Sequence, residues 1–559
     1  MKRLALIFMA ALAFTVACSE KEGGSDAGSG TGGPLTVDFT ISANPCLVGQ
    51  EIELKATVAG GVSPYTFTWE LGSDIKLEGQ EVKYTFDANG SYITVLTVVD
   101  KSGKKVVKRK NLVVNPAEVP EQGTVNLLWA NKVTGYNAWS APAIADDGSI
   151  YATTQSNILY KYDKDGKLLW EKKFNHTVEG AGTQGTPSID ADGTVYIGTG
   201  SANGAAKVYA LNPDGSEKWV FSDFWCAPTQ VLSPSFFSPI CGIGESNIYF
   251  GNCGTAGTMI AADKATGKRV AWMQNEKGGG PAGGVRAGVV ITKEGMLHWG
   301  GGKYGFFGAA KNTVDGANNS GVMWNWQVWN AEPDAPANNN QGALGIATIG
   351  GKTCIVGVVS DVSGYGPKVY AMDSATGEAV STYRVEDSPA MDNGSVAVTS
   401  EGYIVATLNF SNGQSNGGIV LVNPTSPEGK KVAEYRVQEK VSCTPAIDAA
   451  GNIHFATESG NYYVVDKDCK LVVKKKLKEM LLADDRYKEA FAKLDAAKVW
   501  SSPVIGDDGK IYLQFTNNDA AKKREFGAIV CMQIPECTAP GNTDWPMIGQ
   551  NRRHTNCQK

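Results

Sequence analysis

From about Trp139 to the end of the chain, one arrangement of apolar and polar positions recurs eight times. It consists of a short apolar strand, an Asp/Gly turn, a second strand and, further on, a Gly-x-x-x-Trp. Pro142, Pro187, Pro445 and Pro503 are each followed six residues later by a glycine (Gly148, Gly193, Gly451, Gly509), and three residues after that by Tyr151, Tyr196, His454 or Tyr512. A period of roughly 40 to 55 residues with several short strands per unit predicts the blades of a β-propeller. In chain order the turns fall near Gly148, Gly193, Glu245, Gly295, Gly350, Gly402, Gly451 and Gly509, and the outer-strand aromatics are Trp170, Trp219, Trp272, Trp324, Tyr383 and Tyr435. The eighth repeat lacks an outer strand after Ile529-Val530-Cys531, while a spare strand, Leu127-Leu128-Trp129, precedes the first. Joining that spare strand to the last blade closes the ring and removes an exposed edge. Over residues 476–498 the period changes, with Leu477, Met480, Leu481, Tyr487, Phe491 and Leu494 at near-helical spacing. This predicts a short helical insertion, rising as a wall or lid on the face of the loops between blades.

Upstream, residues 35–116 alternate apolar and polar positions in short runs between Gly/Asn/Pro turns, the pattern of a β-sandwich of about seven strands. Residues 116–123 form a Pro/Glu linker, and the propeller is expected over residues 124–559. The fold class is therefore all-β, a sandwich followed by an eight-bladed propeller. With 66 glycines, 13 tryptophans and 42% apolar residues in 559, the composition agrees with many tight turns around a substantial core. A net charge of −5 without any basic run argues against nucleic acid, which requires clustered Lys/Arg.

Met1-Lys2-Arg3 followed by an apolar run to Ala17 reads as a secretory signal over residues 1–17, too short to span a membrane. Thr15-Val16-Ala17-Cys18 resembles the lipobox of bacterial lipoproteins, which implies lipidation of Cys18. Ser19-Glu20-Lys21-Glu22 resembles the surface-export signal of Bacteroidetes lipoproteins, so the expected location is the outer membrane, facing outward. Residues 18–34 are a Gly/Ser-rich flexible tether. Pro64-Tyr65-Thr66-Phe67-Thr68-Trp69-Glu70-Leu71-Gly72 and Gly90-Ser91-Tyr92-Ile93-Thr94-Val95 with Val98-Val99-Asp100 resemble the polycystic-kidney-disease (PKD) domain, which implies a spacer or interaction module. Tyr209-Ala210-Leu211-Asn212-Pro213-Asp214-Gly215-Ser216-Glu217-Lys218-Trp219, residues 261–272, and Asp544-Trp545-Pro546-Met547-Ile548-Gly549-Gln550-Asn551 with His554 resemble the pyrroloquinoline-quinone (PQQ)-like propeller repeat. That family includes quinone-dependent dehydrogenases and non-catalytic envelope lipoproteins.

The family's dehydrogenases carry adjacent cysteines over the quinone, and this chain has no Cys-Cys pair. No cofactor is expected. Asp163-Lys164-Asp165-Gly166 and Asp190-Ala191-Asp192-Gly193 have the look of calcium loops, but the closing glutamate is out of register and Asp-Gly is the preferred hairpin turn. The four histidines are too widely spaced to give a zinc motif, so no metal is expected. Of the ten cysteines beyond Cys18, Cys537 and Cys557 flank a Pro/Gly-rich tail and are candidates to staple it, while Cys226, Cys241 and Cys253 offer one further bridge.

What remains is a binding surface. The position three residues before the repeat proline, or its equivalent, is Trp139, Gln184, Phe236, Arg286, Gly342, Asn393, Ser442 and Trp500. These residues are expected to ring the channel mouth, with Tyr136, Phe224, Trp225, Trp299, Tyr304 and Trp329 on loops of the same face. Aromatic faces suit stacking on sugar rings, and Arg286, Gln184 and Asn393 supply directional hydrogen bonds. The sequence thus points to a non-catalytic surface lipoprotein capturing glycan for a polysaccharide-uptake system. The alternatives are a protein-interaction scaffold with an outer-membrane protein partner, and a polysaccharide-degrading enzyme.

Overall fold

The computed structural model describes residues 33–72, 75–87, 90–115, 119–135, 140–174, 183–199, 207–223, 241–252, 258–274, 285–301, 305–309, 322–326, 342–359, 368–385, 395–409, 417–519 and 525–558. The chain divides into two units, Met1–Glu118 and Val119–Lys559. No helix among the described residues is long and apolar enough to cross a membrane.

The first unit is a β-sandwich. Thr36–Ile41, Glu51–Ala59 and Glu81–Thr85 form one sheet, and Cys46–Leu47, Lys105–Asn115, Gly90–Val99, Thr66–Leu71 and Ile75–Glu78 form the other. Alternation within Glu51–Ala59 sends Ile52, Leu54 and Ala56 inward, as a two-residue period requires. They pack with Phe39, Trp69, Phe86, Leu96 and Leu112. The Trp69 indole N–H donates to the Gly79 carbonyl at 2.9 Å, which satisfies the polar end of a fully buried ring.

The second unit is a ring of eight antiparallel blades. Strands are lettered A to D from the axis outward. The A strands are Ala143–Ile144, Thr183–Ile189, Gly242–Ile243, Val285–Ile291, Gly345–Ile349, Val396–Val398, Ala446–Ile447 and Val504–Ile505, in blades 1 to 8. In blade 1 the B and C strands, Ile150–Thr154 and Ile158–Tyr162, are buried at every position, because both faces of each sheet lie against a neighbouring sheet. The D strand Leu168–Lys173 is exposed or half-buried throughout, as expected at the perimeter. Blade 8 takes its outermost strand from Asn126–Thr134, which pairs antiparallel with Phe526–Gln533 from Thr134↔Phe526 to Asn126↔Gln533. The spare N-terminal strand therefore closes the ring.

The Gly-x-x-x-Trp pattern has a geometric origin. Trp129, Trp170 and Trp219, on the outer strands of blades 8, 1 and 2, donate their indole N–H to the carbonyls of Lys164, Pro213 and Lys264 in the next blade. Each ring lies against the turn glycine there, Gly166, Gly215 or Gly267. A β carbon at Gly267 would fall 2.4 Å from the Trp219 ring, so only glycine allows the approach.

The insertion contains a helix at Leu477–Ala483 and then turns, before Ala497–Lys498 rejoins blade 8 by pairing with Ile511–Asn517. It leaves from the face of the inter-blade loops but is not a lid. Leu477, Leu481, Phe491 and Leu494 are buried in the shared core of blades 7 and 8. The Arg486 guanidinium donates to the Leu127 and Leu128 carbonyls at 2.7 and 3.0 Å, and so caps the outer edge of the closing strand. The chain also covers two other outer edges. Gln122 pairs with Lys474 on blade 7, and Thr382 on blade 5 donates to the Pro427 carbonyl.

The C-terminal tail circles the axis. The amides of Ile144, Ile189, Ile243, Ile291, Val398 and Ile447 donate to the carbonyls of Arg552, Arg553, Thr555, Asn556, Trp545 and Pro546, and Thr348 N–H donates to the Asp544 carboxylate. Seven A strands are thus tied to one segment, whose Trp545, Met547, Ile548 and His554 are fully buried. The described cysteines are all free thiols, which corrects the expected Cys537–Cys557 staple and leaves Cys241 unbridged. Cys537 lies beside Gly509 of blade 8 and Cys557 pairs with Ile291 of blade 4, so the ring's axis separates them. Backbone hydrogen bonds hold the tail instead.

Candidate functional site

Two ends of the axis are candidates, since A strands begin at one and turn into B strands at the other. The first is the expected mouth. Trp139, Phe236, Trp225, Tyr304 and Asn393 lie outside the described residues, as do Tyr136, Phe224 and Trp329. So does Cys18. Gln184 and Arg286 fall in A strands of blades 2 and 4, with side chains outside what is described.

Trp299 is not at the mouth. It sits within the B strand Leu297–Gly301, fully buried with Tyr249, Met259, Ala261 and Ile291 between blades 3 and 4, and offers no face to a ligand. Trp500 is only 6% exposed, and the Lys498 ammonium lies 4.4 Å above its ring. Lys498 also pairs with Glu458 at 3.1 Å, and Glu458 accepts the Ser442 hydroxyl at 2.5 Å. The described sector of the mouth is thus a closed polar chain, Ser442–Glu458–Lys498–Trp500.

Beneath it runs a set of hydroxyl latches that sequence reasoning missed. The amides of Ala141, Ala343 and Thr444 donate to the hydroxyls of Thr186, Ser395 and Ser502 on the following blade. The signal was present, since Thr186 and Ser502 each immediately precede a repeat proline.

The opposite end holds a cleft of ≈ 650 Å³, floored by the tail and walled by the A–B turns. Its ionisable lining is Asp146, Glu401, Asp507, Asp544, Arg552 and Arg553, and none of its lining residues is aromatic. The Arg552 Nη2 lies 2.8 Å from both Asp146 and Asp507, and its Nη1 donates to the Ile144 carbonyl. Arg553 pairs with Asp146 at 3.3 Å. The Glu401 carboxyl is held below the usual range by its own backbone amide and then by the Thr399 hydroxyl. Four carboxylates against two already paired guanidiniums make the cleft an acidic surface suited to cationic groups.

A third constellation is buried. Asp448, at the A–B turn of blade 7, has its Oδ2 3.1 Å from His454 Nε2, and His454 Nδ1 lies 2.7 Å from the Tyr462 hydroxyl. The Cys537 thiol joins them, with one donor atom from each of Asp448, His454 and Cys537 within 4.8 Å of the others. Burial alone raises the Asp448 carboxyl, but the hydrogen bonds from His454 and Asn452 prevail and hold it below the usual range. Burial pushes the Cys537 thiol up to about 12, with the Asp448 charge adding to it. The acidic turns that resembled calcium loops are consumed locally. Asp163 accepts from the amides of Asp165 and Lys167, and Asp190 pairs with Lys264 at 2.8 Å.

Fold and faces together define a propeller of the PQQ-repeat type joined to a PKD sandwich. Residues 38–114 match the family model described as the PKD domain, and residues 119–275 match that described as outer membrane protein assembly factor BamB. Among solved structures, quinohemoprotein alcohol dehydrogenase ADHIIG from Pseudomonas putida HK5 is similar at 14% identity and a TM-score of 0.53, covering 76% of this chain and 78% of that one. A europium-containing methanol dehydrogenase is similar at 13% and 0.51, covering 73% and 93%. BamB from Moraxella catarrhalis stands at 15% and 0.48, covering 73% and 100%. At such identities the likeness is one of fold. No curated protein matches the sequence.

Proposed function

We propose that the chain is a non-catalytic binding lipoprotein of the bacterial envelope, anchored through Cys18, whose propeller is a scaffold for a protein partner docked at the tail-floored cleft. One observation carries this reading: the 650 Å³ cleft is acidic and lined without aromatic rings. Charged, ring-free concavities suit Lys- or Arg-bearing protein segments, whereas sugar capture relies on exposed aromatic faces. The match of residues 119–275 to a family named for outer-membrane protein assembly supports the same direction. Capture of a polysaccharide at the mouth rests on Trp139, Phe236, Trp225 and Tyr304, and draws no support from the buried Trp299 or the lysine-covered Trp500.

The test is photo-crosslinking in a bacterium that makes the protein, with the crosslinker at Ser400 or Asn542 in the cleft and, separately, at Gln438 near the mouth. A discrete envelope protein captured from the cleft positions, and lost when salt is raised, is the expected result. No adduct from the cleft, together with retardation of the protein by one polysaccharide in affinity electrophoresis, would overturn it in favour of glycan capture. Cys18→Ala is expected to release the protein from the membrane fraction, read by fractionation and by incorporation of labelled fatty acid.

A further inference from the structure

We infer that Asp448, His454 and Cys537 form a structural zinc site that fastens the root of the C-terminal tail to blade 7. A carboxylate oxygen, an imidazole nitrogen and a thiol sulfur are the three donor types that zinc takes. They come from three separate stretches of chain, the A–B turn, the B strand Ile453–Ala456 and the segment entering the tail, and all three residues are buried. Zinc–ligand bonds of about 2.0 to 2.3 Å at tetrahedral angles set ligand atoms roughly 3.3 to 3.8 Å apart. The His454 Nε2 to Asp448 Oδ2 distance of 3.1 Å is close to that separation, and the whole set lies within 4.8 Å.

The surroundings orient the donors as a metal requires. The Asp448 Oδ1 is held by the amides of Ala450 and Asn452 at 2.9 and 2.8 Å, and Oδ2, which faces the imidazole, also accepts from the Asn452 side-chain amide at 2.9 Å, leaving its second lone pair for the ion. The Tyr462 oxygen, 2.7 Å from His454 Nδ1, can accept the proton of that nitrogen and leave the Nε2 lone pair for the ion. Binding then releases the thiol proton of Cys537.

The repeat itself supplies a comparison. At the matching positions of blade 2 stand Asp190 and Tyr196, joined by a simple hydrogen bond of 3.2 Å. Blade 1 has Ala145 and Tyr151 there, and blade 8 has Gly506 and Tyr512. Blade 4 also places a histidine, His298, at this register position, but with Thr292 in place of the acid; of the repeats compared, blade 7 alone puts an imidazole beside an acid, and it is the one where the tail delivers a cysteine. The scaffold is satisfied by tyrosine, so the histidine is not needed to build a blade. Because the site is buried, it is loaded as the chain folds.

The test uses the full chain, purified without chelator from zinc-supplemented cells and, in parallel, refolded with Co²⁺. About one zinc per chain is expected by elemental analysis, and the cobalt form is expected to show tetrahedral visible bands with a thiolate-to-metal absorption in the near ultraviolet. Cys537→Ser should abolish that absorption, and His454→Gln should weaken zinc binding at least about tenfold. Zinc content unchanged in both variants, or a refolded wild-type protein without the thiolate band, would overturn the assignment. Should either variant fail to fold, the wild-type cobalt spectrum decides alone.

Discussion

Gly267 has no β carbon, and the Trp219 ring of the neighbouring blade occupies the space where one would project. Its φ of +67° adds a backbone cost for any other residue. Gly267→Ala is therefore expected to lose about 3 kcal/mol, combining the left-handed penalty with overpacking, in urea unfolding of the isolated chain. Gly451 also has positive φ, yet a β carbon there would meet nothing within 4 Å. Gly451→Ala should cost only about 1 kcal/mol.

His554 sets a pH dependence. Burial lowers its pKa from 6.5 to about 4, against the opposing hydrogen bond to the Pro187 carbonyl. The unfolded chain takes up this proton first as the pH falls. The stability gained by keeping the ring neutral is complete above about pH 6.5 and is lost progressively toward pH 4, by about 3 kcal/mol in all. Between about pH 5 and 6.5, His554→Gln should flatten the dependence of the urea midpoint on pH.

Single residues were also where the sequence misled. Trp299 looked like a rim aromatic because fully buried strands lose the two-residue alternation that separates an inward face from an outward one. The Asp448–His454–Cys537 cluster was invisible because its third member arrives from the tail, at no recognisable spacing.

Among elements, the insertion shows what periodicity can and cannot convey. Its helical spacing was legible, and so were the apolar residues it buries. Its extent was not, because the helix stops at Ala483, where Asp484 turns back to accept the Arg486 amide at 3.0 Å. Local capture of this kind competes with helix propagation. Its role was misread too, since a lid and a wedge share one amphipathic pattern. The two differ in energy: Leu481→Ala should cost about 2 to 5 kcal/mol by thermal or urea unfolding if the helix is a wedge, and almost nothing if it is a lid. The outer strands tell a similar story. Their number and their tryptophans could be read directly, whereas coverage of blades 5 and 7 by Pro427 and Gln122 depends on main-chain pairs that carry no side-chain signature, and coverage of blade 8 depends on an Arg486 guanidinium that reaches main-chain carbonyls far away in sequence.

For the whole molecule, the blade count and the closure by the N-terminal strand followed from the repeat, because each unit needs a neighbour to bury its faces. The course of the tail did not follow. Its partners are backbone amides scattered over seven blades, and its cysteines invited a disulfide that is not formed, since they sit beside blades 8 and 4. A chain ending at residue 538 would leave those A-strand amides without their tail carbonyls. It is expected to unfold in more than one calorimetric transition, at a lower temperature than the single transition expected of the intact propeller.

The pairing of Asn126–Thr134 with Phe526–Gln533 also imposes an order in time. The first strand of the ring to leave the ribosome has to wait for nearly the last. Until then, blade 8 lacks its perimeter strand, and Trp129 cannot take its place on Gly166. Contacts of such sequence separation form late, after the loop between them has been closed. On the envelope location proposed above, this late step would work as a safeguard during export. The ring cannot lock until synthesis is almost complete, which leaves the polypeptide unclosed for as long as it is being made.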